Sequence, residues 1–394
     1  MSRNIDIQPL SSQPIGLRAF EMCEHKGIGH PDTLTDGICE AASRELSRHY
    51  RRDFGRVLHH NLDKGLLLAG RSEPRFGGGR IVQPMKFLIC GRATPLGGGE
   101  QPAEIAIAAA RAYLQTHIGF EAGADAITAH IGSTSASLQQ IFATGAAMPR
   151  ANDTSFGTGF APYSRLERMV FDVAEAIRSP GFQREFPAAR ADFKVMGCRL
   201  GETVTLTLAL AFVDRYVEGV SHYFALKQAM HDHLSVSIAA PAQLRINRLD
   251  DPQAQDESGL HLTVTGLSGE MGDDGQVGRG NRVSGLITPG RAMSLEAAAG
   301  KNPVSHVGKI YNVLATLIAR DIHAKVAGAE QVSVQLLSAI GEPIDQPELA
   351  GIEIHAPGGL NASMRTRAAE IADAWLADIR QVTELILDDE IDVY

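Results

Sequence analysis

The sequence has a single tryptophan and four cysteines among 394 residues, and aromatic side chains make up only 6% of it. Cys23, Cys39, Cys90 and Cys198 are scattered, with no short spacing between any two. That excludes a CxxC metal pattern and a disulfide framework, and it reads as reduced, mostly buried thiols. Long apolar runs are missing too: the longest, around residues 204–213, falls well short of the ~20 residues a membrane-spanning helix needs. Positive charge is not in surplus. The 37 Lys and Arg against 46 Asp and Glu leave a formal charge of −9, which argues against a general nucleic-acid binder. A local basic pocket for a small anion remains compatible with that balance. The first ten residues carry Arg3, Asp6 and Pro9 and no apolar stretch, so no signal peptide is visible and a soluble, cytoplasmic protein is expected.

Familiar catalytic strings are also lacking. Gly27, Gly157 and Gly278 each begin a GxGxxG whose last glycine is replaced, by Asp32, Pro162 and Val283, so none is a dinucleotide fingerprint. Gly300-Lys301 has Leu295 where a P-loop needs glycine, and Asn302 where it needs Ser or Thr. No HExxH or GxSxG occurs. His231-Asp232-His233 falls at a helix end and reads as solvated surface, and His59-His60 falls on a strand, where neighbours point to opposite faces.

What is present is a threefold alternation of strand pairs and long helices. Helical periodicity predicts helices over 33–50 (with Thr33 as N-cap), 100–117, 163–177, 217–234, 304–325 and 365–387. Strand patterns predict 56–60, 65–69, 86–91, 193–198, 203–213, 244–248, 261–266, 331–337 and 351–355. The rhythm is not the βαβα of a doubly wound sheet. It predicts an α+β protein of three similar lobes in a pseudo-threefold arrangement, each a small mixed or antiparallel sheet with helices on one face. A loose N-terminal arm (1–17) precedes lobes at 18–131, 132–250 and 251–394, which are expected to be intertwined and discontinuous in sequence.

Four glycine-rich polar segments punctuate this scaffold, and a core does not require them. Glu24-His25-Lys26-Gly27-Ile28-Gly29-His30-Pro31-Asp32 runs straight into a helix. Its free backbone amides attract an anion, His30 and Lys26 add donors, and Asp32 and Glu24 are oxygen ligands of the kind Mg²⁺ prefers. In the segment 151–162, two Phe beside Gly157 and Gly159 read either as a plain turn or as a wall on which a base stacks. The segment 269–282 combines Asp273 and Asp274 with Arg279 and Arg282, a metal-plus-phosphate set on flexible backbone. Lys301, His306 and Lys309 then open a helix. No nucleophile–base pair accompanies them, so the residues describe the holding of a polyphosphate with a divalent ion, where positioning and charge stabilisation do the catalysis.

These segments resemble the S-adenosylmethionine synthetases (methionine adenosyltransferases) of the archaeal type. The likeness runs through GHPD at 29–32, ANDTSFGTGFAP from Ala151, and MGDDGQVGRGNR followed by GKNPVSHVGKIYN. His60-Asn61, Phe76-Gly77-Gly78-Gly79 and Gly91-Arg92-Ala93-Thr94 also look like family blocks. The resemblance implies attack of methionine sulfur on C5′ of ATP, expulsion of tripolyphosphate, and its hydrolysis to phosphate and diphosphate. A sulfur nucleophile needs no general base, which suits the residue inventory. By motif match, His30, Lys194, Arg279 and Lys301 act on the triphosphate and Asp32 binds Mg²⁺. Glu24 lines the metal or substrate site, Asp153 holds the methionine amino group, and Asp273 and Arg282 contact nucleotide or phosphate. The family uses Mg²⁺, commonly with K⁺, and forms homodimers whose active sites lie at the subunit interface. Where the archaeal pattern reads GxGSxD for ATP, this chain has Gly132-Ser133-Thr134-Ser135-Ala136-Ser137. Where bacterial and eukaryotic members carry Lys after the matched arginine, it has Gly280. The second metal ligand and nucleotide selectivity stay open, as do a non-catalytic nucleotide-binding paralogue and a same-fold enzyme acting on tripolyphosphate or another thioether.

Overall fold

Three mixed sheets laid against long helices make up most of this computed structural model, which describes residues 3–97, 99–135 and 148–394. In chain order the elements are β1 (Ile5–Pro9), β2 (Phe20–Lys26), α1 (Pro31–Phe54), β3 (His60–Leu68), β4 (Arg71–Glu73), β5 (Arg80–Gln83), β6 (Lys86–Ala93), α2 (Pro102–Ile118) and β7 (Ile127–Ser133). They continue as β8 (Phe156–Ala161), α3 (Arg165–Arg178), α4 (Pro180–Glu185), β9 (Ala189–Leu200), β10 (Thr203–Val213), α5 (Val220–Ser237), β11 (Gln243–Ile246), β12 (Leu262–Thr263) and β13 (Gly275–Gln276). The last are α6 (Val307–Lys325), β14 (Gln331–Leu337), β15 (Leu349–His355), α7 (Ala362–Ala377) and α8 (Arg380–Leu387). One sheet has the order β1-β15-β14-β8, the second β11-β10-β9-β2 with β12 beside β10, and the third β13-β3-β6-β7. The expected α+β class holds. Sequence patterns anticipate three lobes with a helical face each. The described residues form three larger sheets and a two-stranded β4–β5 ribbon, and the buried apolar side chains fall into two clusters, because α1 and α6 share one core with the first and third sheets.

Local chemistry explains the boundaries. Helix α1 starts at Pro31, whose missing N–H suits the first helical position, and His30, not Thr33, is its N-cap. The helix buries Leu34, Ile38, Ala42, Leu46 and Tyr50 along one stripe and ends at Gly55 in the left-handed region. The segment expected as a loose arm is instead an edge strand. Ile5 and Ile7 alternate with Asp6 and Gln8, and β1 pairs in parallel with β15 from Ile5↔Ala350 to Pro9↔Ile354. The single helix expected over 365–387 is two, because the backbone leaves the helical region at Asp378.

Glycines in β8 have a packing role. A Cβ on Gly157 would stand 2.2 Å from the Tyr311 carbonyl carbon, and one on Gly159 2.2 Å from the Thr316 nitrogen. The strand therefore lies directly on α6, and these two glycines serve helix–sheet contact. Phe160 beside them is covered by the Arg291 guanidinium, 3.9 Å from the ring centroid.

Candidate functional site

Two groups of the singled-out residues assemble at different places along α1. The first surrounds its N-terminus. Between β2 and α1 the chain lies flat on β9: the amides of Gly27 and Gly29 donate to the Phe193 and Ala191 carbonyls at 2.7 and 2.9 Å. A Cβ at Gly29 would meet the Asp192 nitrogen at 2.6 Å, so only glycine fits there. This sets His30 as the cap, with its Nδ1 accepting the Asp32 amide at 3.2 Å. An accepting Nδ1 places the proton of the neutral ring on Nε2. Burial, then the neighbouring Lys26 charge and that of Lys194, push the imidazole down to about 4 against the pull of Asp32. At neutral pH the ring is an uncharged donor.

Asp32 is held on both oxygens, by the Gln276 amide of β13 at 2.9 Å and by Lys26 Nζ at 2.9 Å. Lys26 Nζ also donates to the Arg279 carbonyl at 2.8 Å, and its backbone pairs twice with the Asn281 side chain at 2.9 Å. The glycine-rich loop is thereby fastened to β2 and α1. Asp36, one turn beyond Asp32, accepts the Gly278 amide at 2.7 Å; burial raises its carboxyl to about 7. Lys194 stands opposite Lys26 in the β2–β9 register. The carboxyl of Asp273 is raised by burial and then by the charge of Asp32, and lowered by Lys194 and Lys26, which places it among these groups. Its neighbour Asp274 turns away to cap the Ala69 amide at 2.7 Å, so the two aspartates do not act as a pair. Arg282 donates to the Gly278 and Gly280 carbonyls of its own loop at 2.6 and 2.7 Å.

The second group lies farther along the same helix. Ser43 Oγ donates to the Lys301 carbonyl at 2.9 Å, and Ser43 stands eleven positions after Asp32 on the helix, about 16 Å of axis. Lys301 Nζ is 2.5 Å from Asp63 Oδ2 and 3.2 Å from Glu296 Oε2. The Asp153 carboxyl is raised by burial and then by Glu296, and lowered by Lys301, so it belongs to this group. A cleft of about 600 Å³ opens here, lined by Asp63, Lys64, Arg92, His130 and Gly132 among others. Gly132 and Ser133 end β7 in parallel register with Arg92 and Ala93; Thr134 is buried and Ser135 exposed. Ser137, the last residue of that expected nucleotide segment, lies outside the described residues.

Asp63, Glu296 and Asp192 escape sequence reasoning. Asp63 and Glu296 reach the site only by pairing with Lys301. Asp192, beside Lys194 in sequence, accepts the Ser268 amide at 2.6 Å and its hydroxyl at 2.5 Å. Burial raises it to about 7, and a buried carboxyl two residues from a candidate lysine is the signal that could have found it. Among the described residues no three His, Cys, Asp or Glu converge closely enough to hold a metal ion by themselves.

A model of the S-adenosylmethionine synthetase (AdoMet synthetase) family matches residues 3–390. An S-adenosylmethionine synthase of Pyrococcus furiosus is 46% identical over the whole of both chains. That of Methanothermobacter thermautotrophicus is 43% identical, with 98% of each chain covered. Among solved structures, an unusual S-adenosylmethionine synthetase from Campylobacter jejuni superposes with a TM-score of 0.62. It covers 94% of this chain and 93% of its own at 12% identity, a likeness of fold.

Proposed function

This chain belongs to the S-adenosylmethionine synthetase family and is a methionine adenosyltransferase, and on that footing we propose how its residues divide the work. The triphosphate of ATP lies across the start of α1. There the positive end of α1, with Lys194 and Arg279, meets the charge that grows as methionine sulfur displaces tripolyphosphate from C5′. The observation that carries this reading is the capping His30, a neutral ring with its proton on Nε2 in a cationic setting. Such a ring donates a hydrogen bond to the departing phosphate chain without having to gain or lose a proton. Hydrolysis of tripolyphosphate to phosphate and diphosphate follows in the same cradle.

A divalent ion fits this donor set. Asp32, with Asp273 and Glu24 nearby, offers carboxylate oxygens but too few to close a shell, the situation in which Mg²⁺ completes its coordination with substrate phosphates and water. Bound there, Mg²⁺ would neutralise charge on the phosphate chain. K⁺ is the proposed monovalent activator, and the enzyme is proposed to work in the cytoplasm; among the described residues no helix is long and apolar enough to cross a membrane.

Asp153 is proposed to take the methionine ammonium and Lys301 the nucleotide, with Gly132 of the expected nucleotide segment in the cleft beside them. The two groups lie at different places along α1, and a homodimer is proposed to complete each site. The sheet faces support this. Phe20, Met22, Met196 and Leu200 on the second sheet, Leu66 and Leu68 on the third, and Phe156, Leu337 and Leu349 on the first are exposed apolar side chains. In β2 and β9 the same alternation continues into Glu24, Lys26 and Lys194, so the charged cluster borders the uncovered apolar face.

The decisive experiment incubates the purified protein with methionine, ATP, Mg²⁺ and K⁺ and follows products by mass spectrometry. S-adenosylmethionine with equimolar phosphate and diphosphate is the expected result. Phosphate release without methionine consumption would overturn the assignment of the thioether, and ATP binding without turnover would overturn the catalytic reading.

A further inference from the structure

Lys26 stands out once the first group is examined donor by donor. Its side chain is only 11% exposed, and its ammonium has three N–H bonds to place. Two go to Asp32 Oδ2 and the Arg279 carbonyl, at 2.9 and 2.8 Å. Among the described residues the third has only Glu24 Oε1, at 3.6 Å, beyond hydrogen-bond reach. Across the β2–β9 ladder its direct partner is Lys194. Like charges directly opposite in a sheet destabilise it, and both charges push down the His30 imidazole beside them. A buried lysine with an unplaced donor, set against a second lysine, is arranged for an anion with several negative oxygens. The loop offers few other cations at this point. Position 280 is glycine, with no room for a side chain, since its Cβ would stand 2.1 Å from Asp36 Oδ2. Arg282 is engaged with its own loop's carbonyls.

We propose that Lys26 is a direct ligand of the phosphate chain, exchanging its hydrogen bond to Asp32 for one to a polyphosphate oxygen. The inference rests on the reading of this cluster as the triphosphate cradle. It adds that Lys26 and a divalent ion would compete for Asp32 Oδ2, which becomes available to metal when phosphate draws the ammonium away.

The test titrates inorganic tripolyphosphate calorimetrically into the full-length protein, with Mg²⁺ fixed, for wild type, Lys26→Gln and Lys26→Arg. Glutamine keeps a donor for the Arg279 carbonyl and Asp32, so it preserves the local fold while removing the charge; circular dichroism and melting temperature verify this. Lys26→Gln is expected to weaken tripolyphosphate binding about 10- to 100-fold, the worth of a charge-assisted hydrogen bond. Lys26→Arg is expected to restore most of it. A separate Mg²⁺ titration without phosphate is expected to show tighter binding in Lys26→Gln, because the competing ammonium is gone. Lys26→Gln binding tripolyphosphate as wild type does, or Mg²⁺ no more tightly, overturns the proposal. Wild-type protein that binds no tripolyphosphate overturns the cradle itself, a different outcome from equal binding by both proteins. If Lys26→Gln melts early, the Lys26→Arg titration decides alone: near wild-type tripolyphosphate affinity supports a charge contact, and loss equal to that of glutamine overturns it.

Discussion

Lys301 shows how much of the site depends on single residues. It and Asp63 are each 4% exposed, and their ion pair is supplemented by Lys64 on the other Asp63 oxygen at 2.7 Å. Burial alone would raise the Asp63 carboxyl, but Lys301 and then Lys64 hold it down at about 2. A folded value below the unfolded one contributes stability above about pH 4, which is lost as the pH falls through the folded value. Lys301→Met leaves Asp63 with only the exposed Lys64, and is expected to destabilise the protein by up to about 3 kcal/mol at pH 7. The gap in denaturant midpoint between variant and wild type should narrow below about pH 4. The same variant should lose ATP affinity by calorimetry more than methionine affinity. A pH-independent gap would show that the pair contributes no charge stabilisation. At this scale the sequence is partly legible. His30 and Asp32 are legible as neighbours because only Pro31 separates them at a helix start, whereas Asp63 and Glu296 are invisible because only tertiary pairing brings them to Lys301. Thr33 misleads as a cap because apolar periodicity begins after Pro31, while proline itself already occupies the first helical position.

At the scale of elements, strands and helices with strong periodicity are read nearly to the residue, as with β10 and β14. Errors fall where chemistry and packing use the same residue type. Gly157 and Gly159 look like ligand-approach glycines, yet the close approach is to α6. The edge strand β1 is hidden because its two isoleucines, set among polar residues, form too short an alternation to stand out. A direct check is Gly159→Ala, whose Cβ would fall 2.2 Å from the Thr316 nitrogen, a backbone atom that moves only with the whole helix. Overpacking of this kind is expected to cost about 3 kcal/mol or more, read as a lower urea midpoint. Gly351→Ala on β15 is the control: its Cβ would meet only Leu349 Cδ2 at 3.6 Å, with the Gln335 carbonyl at 3.8 Å, and its midpoint should stay near wild type. Equal midpoints for the two variants would refute the packing role.

At the scale of the whole molecule, the separation of the two groups along α1 and the uncovered apolar sheet faces lead to one consequence that single-chain variants cannot show. If each site takes its first group from one subunit and its second from the other, His30→Ala and Lys301→Met damage different halves. Either homodimer then has both sites broken. In a heterodimer of the two, one site collects both defects, and the other combines the intact His30 half of the Lys301→Met chain with the intact Lys301 half of the His30→Ala chain. Random reassortment makes half of the dimers mixed, each with one whole site of two, so about one quarter of wild-type turnover should return. The measurement unfolds the two purified variants together, refolds them, and compares S-adenosylmethionine formation with that of each variant refolded alone. Should both groups serve a site within one chain, every chain in the mixture remains defective and no activity returns. Recovery near one quarter would therefore assign the two groups to opposite subunits, and a mixture no more active than its parents would return the site to a single protomer.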